Sequence, residues 1–350
     1  MRSYFDSLTA PQKVLAIRRL TALWAFSESG LGGILHALQL PVTGLIVGGI
    51  SVMMISFIAL LSTNNYKEIF TSLIIVLIIK AGVSPYTPPT AYIAVSFQAL
   101  AGYAFFRSFG INFGSIFLVG IITMLESALQ HLLVLTIFFG QSFWKALNSF
   151  TAFVCKQFDM NSSHGTQWLI AAYLGIYLFT GMWIAWLTWR IMNDRRSFEL
   201  SVDAKVDPSL IVKDKKVNHR KLWVMLAILF IISVILFFLP EDHGWLSVVR
   251  ALCWTLAVIS IWFMFINPLL TKLIKQFLAR KEKAYQEEVS ATLAFLPVMR
   301  QLTYSAWQKS KEQKTGSRWY AFMNTLIHWT LIYSDENNNI HKAGTKREDN

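Results

Sequence analysis

Several side chains that ionise or hydrogen bond strongly stand inside otherwise apolar runs: Glu28, His36 and Gln39 in or near the first, Lys80 in the third, Gln98 in the fourth, and Glu126, Gln130 and His131 in the fifth. Such groups cost a few kcal/mol or more when they face lipid, so they are expected to face the protein interior or a wet cavity. Glu126 and Gln130 are four apart and share a helix face, with His131 about 100° further round. Glu126 and Lys80 are the first candidates for an intramembrane ion pair, either locking the bundle or contacting a solute. Between the third and fourth runs lies Lys80-Ala81-Gly82-Val83-Ser84-Pro85-Tyr86-Thr87-Pro88-Pro89-Thr90-Ala91-Tyr92. Three prolines stiffen this connection and remove backbone donors, which fits either a rigid turn or a binding loop beside Gln98.

The chain of 350 residues is 54% hydrophobic and only 15% charged, against roughly 25% charged for a soluble domain. Apolar runs extend over Thr21 to Leu38, Val42 to Leu61, Ile69 to Val83, Ala91 to Phe106, Phe113 to Phe139, Trp168 to Trp189, Leu222 to Leu239 and Leu246 to Ile266. Most match the length needed to cross about 30 Å of hydrocarbon. The first run, with Glu28 and Gly32-Gly33, and the short third run, with Lys80, are expected to be broken or tilted.

These features predict an all-α polytopic integral membrane protein, a six-span helical block followed by a two-span hairpin and a cytosolic helical tail. Its expected divisions are a cytosolic segment 1–20, the six-span block 21–190 with an outer-facing pocket, a basic linker 191–221, the hairpin 222–267, cytosolic or interfacial helices 268–333 with a break at Pro297, and a disordered tail 334–350. The N-terminal segment is too polar for a cleaved signal peptide and is expected to be retained. Arg2, Lys13, Arg18 and Arg19 before the block and the Lys/Arg-rich linker after it place both its ends, and both termini, in the cytoplasm of a bacterial-type inner membrane.

The net charge of +12 is explained by the positive-inside rule and by anionic lipids, and no nucleic-acid-binding motif accompanies it. Cys155 and Cys253 are far apart and suggest neither a disulfide framework nor a metal site. The chain lacks GxxxxGK[ST], HExxH, GxSxG and paired acidic clusters, so no enzyme activity, catalytic residue, metal or cofactor is expected, and ATP-driven transport would need a separate ATPase. Gly44 and Gly48 form a GxxxG pair suited to close helix packing or to docking of a partner subunit.

The stretches SGLGGILHALQLPVTGLIVGG and KAGVSPYTPPTAYIAVSFQALAG, set in a six-span block with no ATPase, make residues 21–190 resemble the S components of energy-coupling-factor transporters. The resemblance implies capture of a vitamin-like, polar or anionic solute from outside, and work alongside a transmembrane T component and cytosolic ATPases. By position it implies a pocket drawing on His36, Lys80, Tyr86, Gln98, Glu126 and Gln130, and a partner face on the small-residue surface of the early spans. The two added spans and the basic tail depart from that family. They leave a second expectation, a membrane scaffold whose tail recruits a cytosolic partner or anionic lipid.

Overall fold

In a computed structural model the described residues are 5, 8–37, 43–84, 87–157, 164–194, 257–258, 260–311 and 318–332. They are helical throughout, with no strand among them. Helix α1, Ala10–Phe26, starts where the Thr9 amide donates to Gln12 Oε1 at 2.9 Å and Pro11 fills an early position whose missing donor costs nothing. It widens into a π-helical turn at Ser27–Leu31 and resumes as the short α2, Gly32–Ala37. The helical path is thus continuous from 10 to 37, and the irregularity of the first apolar run is a widened turn that contains Glu28.

Helix α3, Thr43–Leu61, is the most enclosed of the block. It turns into α4, Glu68–Val83, through Asn65 and Tyr66 at positive φ. The Glu68 carboxylate holds that turn by accepting from the Thr63 and Asn64 amides and the Ser62 hydroxyl. Pro88 and Pro89 open α5, Pro89–Phe109, where a missing N–H is tolerated. A capping box starts α6, Phe113–Phe139: Asn112 Oδ1 accepts from the Ser115 amide at 2.9 Å, and Ser115 Oγ accepts from the Asn112 amide at 3.1 Å. Gly140, at φ +55°, ends α6 and turns the chain into α7, Gln141–Gln157, a helix that the apolar runs do not anticipate. The block closes with α8, Gly165–Asn193.

Helices α6 and α8 meet backbone to backbone. A Cβ on Gly120 would sit 2.7 Å from the Gly181 carbonyl oxygen, and the reciprocal distance is also 2.7 Å. Gly44 and Gly48 likewise face inward: a Cβ on Gly48 would meet Gln98 Nε2 at 3.1 Å and Met124 Cε at 3.2 Å, and one on Gly44 would meet Ser127 at 3.8 Å. The GxxxG pair thus packs within the chain. Among the described residues, α3, α6 and α8 are long and apolar enough to cross a membrane. The 16 residues of α4 span about 24 Å, short of the hydrocarbon thickness.

Three further helices lie against the block: α9, Asn267–Glu282; α10, Gln286–Ser310; and α11, Arg318–Ile332. A π-helical turn at Trp262–Ile266 precedes α9. Trp262 meets Phe138 near the end of α6 (centroids 5.5 Å apart), whereas Glu288 at the start of α10 lies 3.9 Å from Arg18. Between these contacts α9 runs back along α4 and α5. The sequence reading gives cytosolic or interfacial helices from about residue 268 and does not anticipate this packing, in which apolar positions such as Leu278 are buried.

Helix α10 continues through Pro297, where a break was expected; the proline is exposed, so the lost hydrogen bond opens toward the outside. At the end of the block opposite α7, Tyr320 donates to Asp194, Asn324 Nδ2 lies 3.5 Å from the same carboxylate, and the Arg190 guanidinium stacks 4.5 Å from the Tyr320 ring. Arg19 Nη1 donates to the Leu331 carbonyl at 2.7 Å, satisfying an acceptor that the end of α11 leaves open. The linker 195–221, most of the hairpin 222–267 and the tail 334–350 lie outside the described residues.

Candidate functional site

The buried polar centre of the block is built on the π-helical turn. Widening the helix at Ser27–Leu31 turns Glu28 toward α3 and α4, where it is 2% exposed. Lys80, also 2% exposed, places Nζ 2.5 Å from Glu28 Oε2. Ser51 Oγ lies 2.5 Å from Glu28 Oε1, positioned to donate, and accepts from Trp24 Nε1 at 3.0 Å. The ammonium also sits 5.9 Å from the centroid of the Tyr92 ring, within cation–π range. Both charges are therefore paired and hydrogen bonded, the condition under which burial is tolerable.

Lys80 thus pairs with Glu28 and not with Glu126, the partner suggested by the sequence. The reason is geometric: a regular α-helix through Ser27–Leu31 would give Glu28 a different azimuth, and a π turn carries no sequence signature. Ser51 and Trp24 were missed for a related reason. A serine and a tryptophan in apolar runs read as packing, and only the fold makes them partners.

Glu126 is half-buried on α6, and its Oε2 is enclosed without a hydrogen-bond partner among the described residues. Gln98 is 3% exposed, and its Oε1 is also unpartnered, while its amide nitrogen lies over Gly48. One turn beyond Glu126, Gln130 Nε2 donates to the Thr90 carbonyl at 3.0 Å, one of the acceptors near the proline-rich connection. That bond fixes the antiparallel register of α5 and α6. Glu126 then lies about 6 Å, and Gln98 about 12 Å, further into the block at 1.5 Å per residue.

His131 is exposed on the outer side of α6 and does not join these groups. His36 is placed on α2, with its side chain outside the description, and Tyr86 and Gln39 lie outside the described residues. Of the residues expected to line a pocket, Gln98, Glu126 and Gln130 thus fall along the α5–α6 seam, and Lys80 is committed to Glu28.

Chemically, this centre offers a neutralised ion pair and, separate from it, two enclosed acceptors. A buried acceptor left unmade costs roughly 1–3 kcal/mol, so both oxygens call for a proton, a water or a donor group on a bound molecule. Compared with known proteins, the chain matches no family model, no curated protein and no solved structure.

Proposed function

We propose that the chain is a membrane transport subunit that captures a small polar, vitamin-like solute from the outer face and works with separate energising subunits. In this reading it is a polytopic protein of a bacterial-type cytoplasmic membrane, with residues 21–190 as a six-span block and both termini in the cytoplasm. A transmembrane T component and cytosolic ATPases would be its partners. The observation that carries the reading is the pair of enclosed, unpartnered acceptors, Gln98 Oε1 and Glu126 Oε2, beneath the proline-rich connection that Gln130 ties to α6.

The ion pair refines the solute. Because Glu28 already neutralises Lys80, an anion gains little from that lysine, whereas a molecule presenting N–H or O–H donors satisfies both acceptors. A solute rich in such donors fits better than a simple anion. The tail speaks against the scaffold alternative: α10 and α11 bury Met299, Leu302, Ala306 and Ile327, so much of their apolar surface is spent within the chain.

Native mass spectrometry of the gently purified full-length protein tests the proposal. A small polar molecule bound at one per chain and absent from the Glu126→Gln variant is the expected result. A protein that carries no small molecule but retains other polypeptides would support the scaffold instead.

A further inference from the structure

We infer that α7 lies in the plane of the membrane surface, at the end of the block away from Asp194, and binds the phospholipid interface there. On a helical projection Phe143, Leu147, Phe150, Phe153 and Val154 fall in an arc about 120° wide. This is the face that an ordinary surface helix would turn onto its own protein. Here α7 docks through a different edge: Thr151 Oγ1 and Thr166 Oγ1 are 2.9 Å apart, Thr166 Oγ1 donates to Asn148 Oδ1 at 2.5 Å, and a Cβ on Gly165 would meet Thr151 Cβ at 3.1 Å and Cys155 Sγ at 3.2 Å. The phenyl arc is left open, with Phe150 58% and Phe153 67% exposed.

Two observations identify lipid as what covers it. An apolar belt also stands exposed on the neighbouring helices, at Leu133 and Ile137 of α6 and Trp168 of α8. Both helices are long and apolar enough to cross a membrane, so that belt faces acyl chains. Lys145 and Lys156 project about 120–140° away from Phe150 and are exposed, which sets cationic ends above an apolar face, as in helices that lie in the headgroup boundary. Lipid phosphates are the natural partners of those ammonium groups. The tether is short, since only Gly140 separates α7 from α6, so α7 is held at the depth where α6 leaves the bilayer.

The test uses the full chain in nanodiscs of phosphatidylethanolamine and phosphatidylglycerol, with Cys155→Ser and Cys253→Ser as background and single nitroxide labels on Phe150→Cys, Phe153→Cys, Lys145→Cys and Ala152→Cys. Labels at 150 and 153 should collide with lipid-soluble oxygen and be shielded from a water-soluble nickel chelate, and labels at 145 and 152 should show the reverse. Equal exposure of all four to the chelate would overturn the inference. So would shielding of 150 and 153 from both reagents, which would mark a protein surface such as a second copy. A measurement without substitutions gives an independent check: a phospholipid bearing a photoactivatable diazirine on its acyl chain should label residues 141–157 of the unmodified protein, and absence of adducts there would equally refute it.

Discussion

Lys80 Nζ lies 2.5 Å from Glu28 Oε2, joining a π-helical turn of the first helix to the last turn of α4, with both side chains 2% exposed. Removing one partner leaves an uncompensated buried charge, which costs about 3–5 kcal/mol. Lys80→Met and Glu28→Gln should each lower the melting temperature markedly, while the double variant should lose much less than the sum. Thermal melts of the three variants in detergent check this. Additive losses would mean that the two residues are not coupled.

The approach of α6 to α8 predicts a steric effect. With each glycine's Cβ position 2.7 Å from the other's carbonyl oxygen, Gly120→Leu and Gly181→Leu should force the helices apart and cost several kcal/mol. Gly175→Leu on the same α8 is the control, because nothing lies within 4 Å of its Cβ position. Fluorescence size-exclusion profiles should show loss of the folded peak for the first two variants alone.

The contact of the tail with the block is local and removable. Tyr320→Phe deletes a donor to Asp194, and Arg19→Ala deletes the donor to the Leu331 carbonyl. Each should cost about 1–3 kcal/mol and speed proteolysis within residues 318–332, with residues 113–193 still protected. Limited proteolysis read by mass spectrometry decides it.

Acid should loosen the same contact. Burial pushes the His328 imidazole down to about 4, against an ordinary value of 6.5, while the Asp194 charge pulls the other way. The folded state therefore binds fewer protons than the unfolded one between these values, so stability is full above about pH 6.5 and falls as the pH drops toward 4. The slope approaches 1.4 kcal/mol per pH unit at most. His328→Gln should flatten this part of the stability–pH curve, measured by thermal melts from pH 7.5 to 4.5.

Apolar run length located the helices well: the fifth run coincides with α6, and the third, fourth and sixth lie within α4, α5 and α8. Composition carries that information, because a long apolar run has few ways to satisfy its backbone other than a helix. The misplaced features depend on azimuth and long-range contact. Glu28 reaches Lys80 through a π turn, α7 is amphipathic and contains too few consecutive apolar residues to register as a span, and α9 runs back along α4 and α5 after Trp262 meets Phe138 of α6. Of the expected pocket residues, Gln98, Glu126 and Gln130 share a seam because Gln130 bonds to Thr90, a register that no spacing rule supplies.

The most direct test of the account is equilibrium binding of the molecule recovered with the protein, measured on wild type, Glu126→Gln and Gln98→Leu, with melting curves for each. The account predicts that both variants weaken binding about tenfold or more while melting within a few degrees of wild type. Wild-type affinity in both variants would contradict it.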